Sequence, residues 1–215
     1  MEKNEQSNCA DTATDASGGH LCLQVTSQLI PLFFQLLGQG FRVNVQTGAT
    51  VKDLLCRQLG IGEDYLAQRI QTIFLNSKVV DDVDSALVAE ESTLALSGAM
   101  PGLAGAILRS GGIYAAMRIQ NSHEKDNSSF QAQPAKITLK LMNMVAKELG
   151  PGFLKQGIWF NGEKLQEFIK HHQEELKAGG AANELDGEPV EINNLLELDW
   201  DDKTVFLQVR SEKTV

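Results

Sequence analysis

Few residues in this chain have both the type and the spacing that chemistry requires. Arg109 and Arg118 flank Gly111-Gly112, and a backbone without side chains beside two guanidinium groups could bind an anion. His171 and His172 are adjacent on a predicted helix, where neighbouring side chains point in different directions and make a poor metal pair. No nucleophilic triad or Cys-His pair can be nominated. The sequence therefore predicts binding and no catalysis.

The remaining polar clusters predict no metal site and no cofactor. The run L-D-W-D-D at 198–202 resembles a fragment of a calcium loop, but it lacks the glycine and the distal glutamate that complete one. Cys9, Cys22 and Cys56 are widely spaced and form no C-x-x-C pair, so neither a zinc site nor a disulfide framework is expected. Cys56 falls on the apolar face of a predicted helix, which favours a small packed hydrophobe over a nucleophile.

The charge and hydropathy of the chain exclude two classes of partner. The 215 residues carry a formal net charge of -9, with 19 basic residues spread among 28 acidic ones, so the basic patch that nucleic-acid binding requires is not expected. The N-terminus has no apolar core typical of a signal peptide. The longest weakly polar run, Gly98–Leu108, is too short for a membrane span. A cytoplasmic protein without membrane or nucleic-acid partners is expected.

The predicted strands and helices fall into two sets, which are separated by a polar stretch. Residues 1–18 are small, polar and acidic, which predicts a disordered tail, and residues 121–134 are typical of a linker. Alternating patterns predict strands at 20–25, 41–45, 72–75, 78–80, 92–97, 137–141, 152–160, 184–190 and 203–209. Helical spacing predicts helices at 26–38, 50–59, 143–149 and 163–177.

The two sets of elements show an internal repeat. G-Q-G-F at 38–41 matches G-P-G-F at 150–153, L-N-S-K-V-V at 75–80 matches L-D-G-E-P-V at 185–190, and S-T-L-A-L at 92–96 matches K-T-V-F-L at 203–207. These matches lie 112, 110 and 111 residues apart, a period much longer than that of solenoid repeats. The matches indicate a duplicated domain, and the alternative is a chance resemblance between two unrelated small α+β units.

One helix packed on a mostly antiparallel sheet in the order ββαββ is the β-grasp, or ubiquitin-like, architecture. The first half resembles its sulfur-carrier branch, typified by the small subunit of molybdopterin synthase and the thiamine sulfur carrier. The similarity lies in G-A-T-V-K-D-L-L at 48–55, I-F-L-N-S-K-V-V at 73–80 and E-E-S-T-L-A-L-S-G-A at 90–99. It implies an α+β fold of two tandem β-grasp domains, each a mixed sheet packed on one main helix. They are expected at 19–120, with a Gly-rich extension, and more faintly at 135–215.

The resemblance also implies a possible chemistry. In the carriers, a C-terminal Gly-Gly is adenylated and becomes a thiocarboxylate, which requires a free carboxylate on a thin tail. This chain ends S-E-K-T-V, so the reaction would require processing after Gly112. The competing interpretation is a glycine turn between Leu108 and Ile113, and the distance from Ser97 to Gly112 is long for a carrier tail.

Three functions remain open. The leading hypothesis is a non-enzymatic protein-interaction module that uses an exposed sheet or the Gly98–Arg118 segment, with an unidentified protein or a second copy of the chain as partner. The alternatives are a sulfur-carrier or ubiquitin-like modifier precursor processed after Gly112, and a small-anion-binding protein using a cleft. The candidate binding residues are Arg109, Gly111, Gly112, Tyr114 and Arg118.

Overall fold

The computed structural model of the chain describes residues 18–110, 112–114 and 132–211, and it confirms an α+β fold. The strands are β1 (His20–Val25), β2 (Phe41–Gln46), β3 (Thr72–Leu75), β4 (Lys78–Val79), β5 (Thr93–Ser97), β6 (Pro134–Met142), β7 (Ile158–Asn161), β8 (Gly180–Leu185), β9 (Glu188–Pro189) and β10 (Thr204–Ser211). Residues 1–17 of the predicted tail and 121–131 of the predicted linker lie outside the described residues.

The helices connect these strands. They are α1 (Phe34–Gln39), which follows a 3-10 segment at Ser27–Phe33, α2 (Val51–Asp53), which continues as a π-helical turn over Leu54–Gln58, α3 (Glu63–Arg69), α4 (Gly102–Leu108), α5 (Asn143–Gln156), α6 (Gly162–His171), α7 (Gln173–Gly179) and α8 (Ile192–Glu197). The α2 helix begins at the predicted N-cap, where the Thr50 hydroxyl accepts a hydrogen bond from the Asp53 backbone N–H.

The chain forms two compact units. We call residues 31–153 the central unit, and residues 1–30 together with 154–215 the terminal unit. This division differs from the expected domains at 19–120 and 135–215, because β1 belongs to the terminal unit and β6 to the central unit.

The sheet of the central unit has the order β4-β3-β5-β6-β2. Its middle pair, β5 and β6, is parallel, and the other pairs are antiparallel. Ile137, Leu139 and Leu141 of β6 are fully buried, and they alternate with partly exposed polar residues. The predicted alternation of this strand is confirmed, and it places β6 in the middle of the core.

The sheet of the terminal unit has the order β7-β10-β1-β8-β9. The pair β10 and β1 is parallel, and the other pairs are antiparallel. Leu21, Cys22, Leu23 and Val25 of β1 are all buried. Burial on both faces is what a strand hydrogen-bonded on both edges and covered on both sides requires, which explains the imperfect alternation of its sequence.

The first strand of each half therefore pairs with strands of the other half. The β1 strand lies between β10 and β8, and β6 lies between β5 and β2. Hydrophobic periodicity predicts both strands but not their partners, because both carry alternating apolar residues that fit either sheet.

The internal repeat reappears in local geometry. Thr50 and Asn161, 111 residues apart, are both side-chain N-caps of the helix that follows the second strand of their half. The two-residue turns Asn76-Ser77 and Asp186-Gly187 both have positive φ angles, as a type I′ hairpin requires. The caps lie 111 residues apart and the turns 110 residues apart, close to the offsets of the sequence matches.

Two element predictions in the second half are wrong. Residues 152–156 belong to α5 and not to a strand, although β7 follows where the predicted strand ends. Val145, Ala146, Phe153 and Leu154 are buried at helical spacing, so packing of this face holds a helix through Gly150-Pro151-Gly152. The predicted helix at 163–177 is interrupted at His172, which separates α6 from α7.

Candidate functional site

The run of small residues after β5 forms a short apolar helix on the central unit. We call residues 98–114 the glycine-rich segment. Its helix α4 has the sequence G-L-A-G-A-I-L and therefore carries no polar side chain. The Leu103 side chain is 67% exposed, while Gly105 is buried. A helix at the surface that has no polar face is unusual.

Ser110 attaches the end of this segment to the central unit. Its backbone N–H donates to the Gln71 carbonyl oxygen at 3.0 Å. Its hydroxyl oxygen Oγ lies 3.1 Å from the Val80 carbonyl and 3.2 Å from the Asp81 carbonyl. The position of Ser110 is therefore determined by three backbone carbonyls from two separate stretches of the chain.

The structure describes three of the five candidate binding residues. Arg109 is exposed and lines a cavity, while Gly112 lies against the end of α4, where an added Cβ would lie 3.2 Å from the Ala106 carbonyl oxygen. Tyr114 is 43% exposed. Gly111 and Arg118 lie outside the described residues. The close approach at Gly112 accounts for a glycine at that position.

The cavity beside Arg109 lies wholly within the central unit. Its volume is about 460 Å³, which is within the range of small-molecule sites. The floor includes the buried side chains of Leu66 and Ile70 from the α3 region and Ile73 from β3. We call it the α3 cavity.

The rim of the α3 cavity carries more acidic than basic side chains. Its charged residues are Lys52, Glu63, Asp81, Asp84 and Arg109. Lys52 Nζ lies 3.3 Å from an Asp84 carboxylate oxygen and 3.7 Å from one of Glu63. The Asp84 carboxylate, and after it that of Glu63, raises the pKa of Lys52 above its usual range, so the lysine is charged at neutral pH. Its charge is already compensated by these neighbours.

A hydrogen-bonded cluster joins α3 to α5 at the outer side of the central unit. Tyr65 donates to a Glu148 carboxylate oxygen at 2.7 Å, and Arg69 Nε donates to the same oxygen at 3.1 Å. Arg69 first, and Tyr65 after it, lower the pKa of Glu148. Burial, and then the hydrogen bond to Glu148, raise the pKa of the Tyr65 phenol, which stays protonated. The cluster helps to hold one wall of the α3 cavity in place.

Most of the residues that line this cavity, Arg109 excepted, were not predicted from the sequence, because no helix was expected at 63–69. The available signals were Glu63 and Asp64 in a first helical turn after Gly62, and Leu66 and Ile70 at i, i+4 spacing. Both patterns are too short to predict a helix, because polar residues separate the few apolar ones.

The other candidates offer less chemistry. His20 lies in β1, where its Nε2 is 3.0 Å from Gln208 Oε1. Burial first, and then the Glu63 carboxylate, raise the pKa of the Cys56 thiol, which disfavours the reactive thiolate. Among residues 18–110, 112–114 and 132–211, no cluster of His, Cys, Asp and Glu could hold a metal ion. No helix of this described part is long and apolar enough to span a bilayer.

Comparison with known proteins identifies no relative. No protein-family model matches the chain, and neither a curated protein nor a solved structure matches it. The β-grasp resemblance therefore rests on the sequence patterns given above.

Proposed function

We propose that this protein is a non-enzymatic interaction module that binds a protein partner through the glycine-rich segment. The observation that carries the proposal is the exposure of large apolar side chains on one short stretch: Leu103 is 67% exposed, Ile113 94% and Tyr114 43%. Exposed apolar patches mark interaction sites, and tyrosine is enriched among the residues that dominate binding energy in protein interfaces. The hydrogen bonds of Ser110 hold the segment that carries these side chains against the central unit.

We further propose that the two halves are duplicated β-grasp units that have exchanged their first strands. Support comes from the shared order of strand, helix, strand, helix, hairpin and strand, and from matching caps and turns. A duplicated fold of this kind does not require a catalytic site. The role of the protein would depend on the residues exposed at its surface.

The proposed interface can be tested by site-specific photo-crosslinking in cells that express the protein. Ile113 is replaced by p-benzoylphenylalanine, and the matched control carries the same substitution at Leu198, which is 38% exposed in the terminal unit. We expect an adduct with one protein, or with a second copy of the chain, from position 113 alone. Leu103→Glu should reduce its yield, since a carboxylate would be placed in an apolar contact. Equal adducts from both positions would contradict the proposal.

The carrier-precursor alternative has a separate test. A carrier tail must be thin and free, whereas Ser110 is hydrogen-bonded to the central unit two residues before Gly112. These contacts favour the interaction module. The intact mass of the protein purified from its own cells distinguishes the two, because a fragment ending at Gly112, with sulfur in place of one oxygen, would establish carrier chemistry.

A further inference from the structure

The α4 helix of the glycine-rich segment differs from the other helices in its burial. Its sequence is entirely apolar, yet none of its described side chains is buried: Leu103 is exposed, and Ala106, Ile107 and Leu108 are half-buried. Every other helix in the described part of the chain buries at least one apolar side chain. Because short helices depend on the packing of an apolar face, α4 should open more readily than the others.

Ser110 holds the end of α4 against the central unit. Its N–H donates to the carbonyl of Gln71, which precedes β3, and its hydroxyl oxygen lies 3.1 Å from the carbonyl oxygen of Val80, which follows β4. Water can replace each of these hydrogen bonds once the end of the helix has moved away, so the net cost of breaking them is small. The attachment at Ser110 is therefore reversible.

Gly102 provides a hinge at the other end of α4. It is exposed, its φ angle is 77°, and an added Cβ would meet nothing within 4 Å. Glycine can leave this conformation and return to it without a steric cost. The segment is packed four residues earlier, where a Cβ at Gly98 would lie 3.6 Å from the Arg69 carbonyl oxygen and 3.8 Å from Met144 Cβ. The chain can therefore turn at Gly102 while Gly98 keeps its place.

We propose that the glycine-rich segment is a strap with a closed and an open state, and that the protein partner binds the open state. In the open state, the hydrogen bonds of Ser110 are broken and α4 has moved about Gly102. Ile107 and Leu108, which are half-buried in the closed state, then become available to the partner and give the open state the higher affinity. The preference of the partner for this state rests on the proposed function.

Native-state amide hydrogen exchange of the full-length protein tests the strap without the partner. Because one opening exposes both groups, the amides of Arg109 and Ser110 should have the same protection factor. The amide of His172, at the end of α6, is the matched comparison. It donates to the Phe168 carbonyl at 3.1 Å, as Arg109 does to the Gly105 carbonyl at 3.1 Å, but α6 buries its apolar face. We expect its protection factor to be at least about tenfold higher.

The variant Gly102→Ala should favour the open state, because alanine at a φ of 77° strains the closed backbone. Exchange at Arg109 and Ser110 should accelerate roughly fivefold, and the yield of the adduct from p-benzoylphenylalanine at position 113 should rise. Gly187→Ala is the matched control, since Gly187 has a φ of 84° and equally open surroundings but lies in the terminal unit. It should change neither quantity.

The strap is overturned if Arg109 is as well protected as His172, or if Gly102→Ala does not accelerate exchange at Arg109. The preference of the partner for the open state is overturned if Gly102→Ala accelerates exchange and leaves the adduct yield unchanged. If position 113 gives no adduct in any variant, the proposed function fails, and the preference of the partner fails with it. The exchange measurements still decide whether the strap exists, because they need no partner.

Discussion

Ser110 couples the glycine-rich segment to the central unit through a single side chain. Its hydroxyl lies within hydrogen-bond distance of the Val80 and Asp81 carbonyl oxygens, and its N–H donates to the Gln71 carbonyl oxygen. Because Val80 is buried, its carbonyl cannot exchange this donor for bulk water without local opening. The mobility of α4 should therefore depend on one hydroxyl group.

We expect Ser110→Ala to cost about 1 kcal/mol of local stability. Amide hydrogen exchange in α4, for example at Arg109, whose N–H donates to the Gly105 carbonyl, should accelerate roughly fivefold. Ser85→Ala is the control, since the Ser85 hydroxyl lies 3.5 Å from the Asp82 carbonyl, at the limit of a hydrogen bond. Unchanged exchange in α4 would show that the hydroxyl does not anchor the segment.

Glu148 gives a pH-dependent contribution to the attachment of α3. Its pKa is lowered in the folded protein by Arg69 and Tyr65, so its stabilisation is fully present above the usual carboxyl pKa of 4.5 and is lost as the pH falls through the lower folded value. Glu148→Gln should therefore be less stable than the parent chain to urea at pH 7, and the difference should shrink at pH 3. Glu188→Gln, at an exposed position in β9, is the matched control for the loss of one surface carboxylate.

At the scale of elements, the two hairpin turns allow a comparison within one chain. Asn76-Ser77 joins β3 to β4, and Asp186-Gly187 joins β8 to β9. The second residue has a φ of 68° at Ser77 and 84° at Gly187. Glycine adopts this conformation without a steric cost, whereas serine does not, so the first turn holds more backbone strain.

We expect Ser77→Gly to raise the free energy of unfolding by up to about 1 kcal/mol, and Gly187→Ala to lower it by about 1 kcal/mol. A Cβ at Gly187 would meet nothing within 4 Å, so the loss would report backbone conformation alone. Gly98→Ala is the control, because Gly98 does not have a positive φ and an added Cβ would make only ordinary contacts, the closest 3.6 Å from the Arg69 carbonyl oxygen. Urea unfolding of the three variants measures these values, and a neutral Gly187→Ala would contradict the assignment of the turn.

Local sequence patterns account for the turn at Asp186-Gly187, because the Asp-Gly pair carries its own preference for positive φ angles. They failed at α5, where burial of Val145 and Phe153 overrides the breaking tendency of Gly150-Pro151. They also missed α3, and with it most of the α3 cavity, because a seven-residue amphipathic helix gives little periodic signal. The cavity depends on tertiary neighbours that no local pattern contains.

At the scale of the whole molecule, the pairing of β1 with β8 and β10, and of β6 with β2 and β5, was beyond the reach of periodicity. The β1 and β6 strands occupy equivalent places in the repeat, and each could in principle add to either sheet. Their partners are selected by side-chain packing across neighbouring strands, which is non-local information. The boundaries between the two compact units therefore fall at places where the composition of the chain shows no break.

The pairing of the strands within each compact unit predicts which fragments of the chain fold. The central unit is continuous over residues 31–153 and contains β6, which pairs with both β5 and β2. A fragment of residues 31–153 should give a dispersed NMR spectrum and a cooperative urea transition. A fragment of residues 19–120 lacks β6, so β2 and β5 lose the strand that joins them, and it should not unfold cooperatively. If residues 19–120 fold and residues 31–153 do not, β1 can replace β6, and the contiguous domains expected from the repeat are the correct division.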